Sequence, residues 1–128
     1  MIYIIDSYAW IEYFIGSDKG AVVRNLFSES NNKFYTVICC LAEVQEWALR
    51  NNKDFDDLFK VIRASSSILD ITEDNWISAA KEKFEQRKMQ KDFGLIDSLI
   101  LIKQKELSCG VISGDSHFKR LPNVCFLK

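Results

Sequence analysis

The sequence predicts an α/β chain folded as a three-layer sandwich, with a central, mostly parallel sheet flanked by helices. Three observations carry that expectation. Short β-favouring apolar runs recur at residues 2–5, 34–38, 68–71, 111–113 and 124–127. Segments with helical spacing separate them, and most of the connections are long enough for the crossovers that parallel pairing requires. With 128 residues, 48% of them hydrophobic, the chain can bury the core of one ordinary domain, so a single domain over 1–128 is expected.

Taken in order, Met1-Ile2-Tyr3-Ile4-Ile5 reads as a buried strand that ends abruptly in Asp6. Ser7 is the expected N-cap of a short helix over 8–14, and Gly16-Ser17-Asp18 separates it from a second helix over 20–28. Tyr8, Trp10, Tyr13 and Phe14 give this opening an aromatic weight that fits core packing first and a partner-binding face as the alternative. After the turn Ser30-Asn31-Asn32, a strand over 34–38 leads directly into a helix over 40–50 with Glu43 in its first turn. Asp54 caps a helix carrying Phe55, Leu58, Phe59 and Ile62 at helical spacing, and Ser65-Ser66-Ser67 ends it.

The short strand at 68–71 is followed by Thr72-Glu73-Asp74, a cap and two acids suited to the positive end of a helix dipole, opening a helix over 73–89. Gly94 opens another over 95–107, apolar on nearly all sides for its first two turns and therefore buried there. Gly110 fits the position just past a helix end, Gly114-Asp115 a turn, and 124–127 a final strand after the only proline, Pro122.

Basic and acidic residues nearly cancel, 17 against 18, so no general positive field marks a nucleic-acid binder and any such binding comes from a local patch. Cysteines at 39, 40, 109 and 125 form neither close metal-ligand couples nor a disulfide framework, which predicts reduced thiols. There is no basic region ahead of an apolar run at the N-terminus and no run near the ~20 residues of a spanning helix. A cytoplasmic protein without a signal peptide is expected.

Four acids stand in apolar surroundings: Asp6, Glu43, Asp97 and Asp115. Three of them follow a strand, and in parallel sheets binding sites gather beyond the carboxyl ends of strands. Asp97, in the first turn of its helix, can join them. Any one alone could serve only as a cap or dipole partner. Together in one pocket they would repel, raising their pKa values unless a cation neutralised them, and hard oxygen ligands suit magnesium or manganese. Ser7 and Ser113, each beside a candidate ligand, are placed to orient a carboxylate or a ligand water. Glu46 reads as solvated. His117, in the polar run Asp115-Ser116-His117-Phe118-Lys119-Arg120, reads as a surface loop residue with no orienting partner.

On Ile4-Ile5-Asp6-Ser7, Leu41-Ala42-Glu43-Val44, Gly94-Leu95-Ile96-Asp97-Ser98-Leu99-Ile100 and Ile112-Ser113-Gly114-Asp115 with Phe118 after it, the chain resembles the PIN domains, and among them the VapC-type toxins of toxin–antitoxin pairs. The resemblance spans essentially the whole chain. It implies a PIN-like fold and a ribonuclease that hydrolyses RNA with Mg²⁺ or Mn²⁺. Asp6, Glu43, Asp97 and Asp115 would be both its catalytic residues and its metal ligands, with Ser7 and Ser113 in support. An antitoxin protein and a second copy of the chain would be its partners.

For RNA, residues 81–91 hold five basic side chains against two acidic ones; Arg87, Lys88 and Lys91 are the expected phosphate contacts, and Lys119-Arg120 closely follows Asp115. Two other readings stay open. A phospho-receiver domain would be phosphorylated on Asp70, although no adjacent acid pair ends the first strand and no lysine ends the strand at 111–113. A PIN fold that binds without cleaving is the other.

Overall fold

The computed structural model describes residues 1–128. Its five strands are β1 (Ile2–Ile5), β2 (Lys33–Val37), β3 (Ser67–Leu69), β4 (Gly110–Ser113) and β5 (Val124–Phe126); its six α-helices are α1 (Ser7–Ile15), α2 (Asp18–Ser28), α3 (Cys40–Arg50), α4 (Phe55–Ser65), α5 (Glu73–Gln86) and α6 (Leu95–Leu107). The strands lie in the order β3-β2-β1-β4-β5, and every neighbouring pair is parallel. The α/β sandwich is thus as the sequence predicts, with a wholly parallel sheet.

Period-2 alternation sends successive strand residues to opposite layers. Ile4 and Val111 join Phe93, Ile100, Leu101 and Phe118 on the α6 side. Ile5 and Ile112 join Trp10, Val23, Val44 and Ile62 on the side of α1 to α4. Trp10 is fully buried, packs on Tyr13, Phe14 and Phe27, and donates its indole N–H to Thr36 Oγ1 at 3.0 Å, so the aromatic opening is core. Removing a buried side chain of this size costs about 3–5 kcal/mol.

Several boundaries differ from expectation for physical reasons. The N-cap of α1 is Asp6, not Ser7: its Oδ1 accepts from Ala9 N at 2.9 Å, and the seryl hydroxyl is committed elsewhere. Helix α5 stops at Gln86, not 89, because the chain must turn back to seat Phe93, which is fully buried, and Arg87 Nε fastens that turn by donating to Phe93 O at 2.8 Å. The left-handed residue ending α6 is Ser108, with φ 48°, and Gly110 is already the first residue of β4. Glycine is needed there for close approach: a Cβ would lie 3.0 Å from Tyr3 Cδ1 on the adjoining strand.

Strand β1 is central, with the chain running outward from it through β2 to β3, then returning to lay β4 on its other flank. The junction of β1 and β4 is therefore the switch point of the sheet, and a crevice opens beyond its carboxyl end. The same topology removes the receiver reading, since that doubly wound fold places its first strand next to the sheet edge. Asp70, its required acceptor, follows β3 at the border of the sheet.

Candidate active site

Four elements bring their acids to that crevice. Asp6 follows β1, Asp115 follows β4 beyond Ser113 and Gly114, Glu43 lies in the first turn of α3 and Asp97 in the first turn of α6. Three of them also perform local capping. Asp6 caps α1, Asp97 Oδ2 accepts from Gly94 N at 3.2 Å at the start of α6, and Asp115 Oδ1 accepts from His117 N at 2.9 Å to open the 3-10 turn Ser116–Phe118. A cap and a ligand are therefore compatible roles: in Asp97 and Asp115 the capping amide takes one lone pair of one carboxylate oxygen, leaving that oxygen a second and the other oxygen without a protein donor.

The serines sit between them. Ser7 Oγ donates to Glu43 Oε1 at 2.7 Å, linking α1 to α3. The Ser113 hydroxyl accepts from Asp115 N at 3.0 Å and lies near enough to Asp6 to draw its pKa down, so it stands between the two acids that flank the switch point. Glu46, exposed and 3.8 Å from Arg50, belongs to the solvated face.

The electrostatics record how close the acids are. Burial pushes the Asp6 carboxyl up to about 7; the Ser113 hydroxyl and the Ala9 amide pull it back, and the charges of Asp115 and Glu43 raise it. Glu43 is raised by the partial burial of its carboxyl and then by Asp97, Asp115 and Glu46, against the Ser7 hydrogen bond. Asp97 is raised by burial and by Asp115, against the Gly94 amide and His117. A pocket that holds acids this way is short of positive charge.

The surface assignment of His117 is corrected by the structure. Its ring is mostly covered, with its edge or face against Phe93 at 5.7 Å and 65°, and Nδ1 lies 3.0 Å from Asp97 Oδ2 and 3.2 Å from Asp115 Oδ1. Gln90 Nε2 donates to its carbonyl at 2.9 Å, fixing the turn from the other side. One donor atom from each of Asp97, Asp115 and His117 falls within 4.8 Å of the others. The only sequence signal for this was the two-residue offset from Asp115, because a capped 3-10 turn can fold the second side chain back over its cap.

The donor set fits a small divalent cation: hard oxygens in excess of protein counter-charge, plus the buried Nδ1 atom, whose contacts lack hydrogen-bond geometry. No helix is long and apolar enough to cross a membrane, and all four cysteines are free.

The basic residues divide. Lys91 lines a groove of about 430 Å³ with Gln90, Asp92, His117, Lys119 and Arg120, and His117 is the residue it shares with the acidic cluster. Arg87 is held at the turn by Phe93 O, and Lys88 pairs with Glu85 at 3.0 Å over the Phe84 ring, so neither lines that groove.

The class defined by this sheet order and layering is the PIN-like α/β fold. No family model and no curated protein sequence matches the chain. Among solved structures, its fold is that of VapC toxins. VapBC2 from Rickettsia felis, bound to a DNA fragment from its promoter, is 19% identical with a TM-score of 0.73, the alignment covering 100% of this chain and 98% of that one. VapC20 of Mycobacterium tuberculosis, a toxin that cleaves the sarcin-ricin loop, is 12% identical with a TM-score of 0.78, covering 95% and 96%. VapBC-1 from nontypeable Haemophilus influenzae is 18% identical with a TM-score of 0.68, covering 97% and 95%. At such identities the likeness establishes the fold.

Proposed function

We propose that this chain is a cytoplasmic, single-domain endoribonuclease dependent on Mg²⁺ or Mn²⁺, and the toxin of a toxin–antitoxin pair. The observation that carries the reading is the meeting of Asp6, Glu43, Asp97 and Asp115 at the switch point, with the pKa values of three of them raised by burial and by one another. The likeness in fold to VapC toxins, several of them solved with antitoxins, supports the antitoxin as protein partner and RNA as substrate.

In this reading the four carboxylates hold the ion, which when bound supplies a Lewis acid for the phosphodiester and lowers the pKa of water. Ser7 orients Glu43, and Ser113 orients Asp6 against Asp115. Lys91, Lys119 and Arg120 draw the phosphate chain into the groove beside the acids, while Arg87 and Lys88 extend the basic surface beyond it. The chain acts as a homodimer.

Asp97→Asn tests the reading. The amide keeps the shape and an oxygen for the Gly94 amide but removes the charge, so metal-dependent cleavage of RNA is abolished while the fold stays intact. A purified preparation is assayed on structured RNAs with manganese, with chelator, and with the variant. Cleavage by the variant at the parent's rate would show either that the activity is a contaminant or that Asp97 is merely a buried acid at a helix start. No cleavage by the parent, with ion binding intact, would favour the fold as a binding module. Replacing Lys91, Lys119 and Arg120 together by glutamine is expected to weaken RNA binding and flatten its salt dependence; replacing Arg87 and Lys88 has the smaller effect.

A further inference from the structure

His117 is not among the residues to which the proposed reaction assigns a role, yet its backbone and ring are both held in place beside Asp97 and Asp115. Phe93 backs the ring, Gln90 holds its carbonyl, and Asp115 receives its amide. The result is an Nδ1 atom shielded from solvent, 3.0 Å from one carboxylate oxygen and 3.2 Å from another on a different element, with hydrogen-bond geometry to neither.

Nδ1 thus faces one carboxylate oxygen from α6 and one from the turn after β4, and no protein hydrogen bond accounts for its position. A cation between the three atoms turns all of these contacts into ligand-to-ligand edges. An octahedral ion with ligands at about 2.1 Å has neighbouring ligand atoms about 3.0 Å apart, and the two separations observed match that edge.

Resting on the reading of the four acids as a metal site, we propose that His117 Nδ1 is itself a ligand of the ion, closing a mixed nitrogen–oxygen set with Asp97 and Asp115. Imidazole is a poor ligand for magnesium and a good one for first-row transition ions. The histidine therefore sets the choice of ion, giving manganese the advantage over magnesium that an all-carboxylate pocket would lack.

Because His117 is the only histidine, labelling all histidine with ¹⁵N marks this ring alone. The full-length protein loaded with Mn²⁺ is expected to show a directly coordinated nitrogen by pulsed electron paramagnetic resonance, with the coupling changing from ¹⁴N to ¹⁵N on labelling. His117→Phe keeps an aromatic ring against Phe93 and removes the ligand; it should lose the nitrogen coupling. By calorimetry its Mn²⁺ affinity should fall about tenfold, the low end of what a group supporting a metal site is worth, while Mg²⁺ affinity changes far less. Mn²⁺ binding by the parent without any histidine nitrogen coupling overturns this proposal and leaves the acidic site standing. Failure of the parent to bind either ion overturns both.

Discussion

The two ends of the sheet differ in what marks them. At the amino end, Met1, Ile2, Tyr3, Cys109, Gly110 and Val124 border a hollow of about 490 Å³ without a single charged side chain. At the carboxyl end Asp97, Asp115 and His117 bring one ligand atom each within 4.8 Å of the others, Glu43 and Asp6 stand near enough to feel the neighbouring charges, and three of the acids have raised pKa values. Size does not mark the chemistry: a larger groove, about 670 Å³ and bordered by Ile38, Cys39, Asp70, Ile71, Trp76 and Ile96, holds none of the four acids either. Backbone amides and carbonyls of neighbouring strands satisfy one another at both ends, but only at the carboxyl end do helix N-termini gather, and these are where an acid is welcome as a cap.

The comparison sharpens most under pH. The Asp6 carboxyl has a folded value of about 7 against an ordinary 3.8. Since the folded value is the higher, the stability it contributes is fully present below about pH 4 and is lost as pH rises through 7. The loss at pH 8 is on the order of 4 kcal/mol. Glu43 and Asp97 are raised too and add in the same direction. Metal-free protein should thus melt at a lower temperature at pH 8 than at pH 5. Asp6→Asn should flatten that slope, and saturating Mn²⁺ should close most of the gap. Equal midpoints at the two pH values without metal would mean that the acids are solvated and the two ends alike.

A smaller effect is expected from Ser7→Ala. It removes the 2.7 Å bond that holds Glu43, so calorimetric affinity for Mn²⁺ should fall about tenfold with little change in thermal midpoint in chelator. The least effect belongs to the other end. Gly110→Ala pushes a Cβ to 3.0 Å from the Tyr3 ring, at a cost of about 1 kcal/mol, and ion binding and RNA cleavage should match the parent. A loss of cleavage without a loss of stability in this variant would give the amino-end hollow a role in function.

How much of this was legible can be judged residue by residue. Helix starts were, at Asp54 and Thr72, because a side-chain cap acts on amides two or three residues away. At Asp6 the same rule was misassigned by one position, since an acid and a serine stand side by side and only the fold commits the hydroxyl to Glu43. The end of α5 was placed too far along because nothing local reports that Phe93 must reach the core.

The sequence by itself determined which acids stand at strand ends and helix starts and that a layered parallel sheet would carry them, since apolar period and capping operate over a few residues. Only the tertiary structure decided that β4 lies against β1, which sets Asp115 beside Asp6 across more than a hundred residues of chain. It also decided that His117 turns inward between Asp97 and Asp115, and that Lys91 shares a groove with Lys119 and Arg120. Those meetings follow from strand order and from the seating of buried aromatics such as Phe93, interactions between residues whose separation along the chain carries no trace of their distance in space.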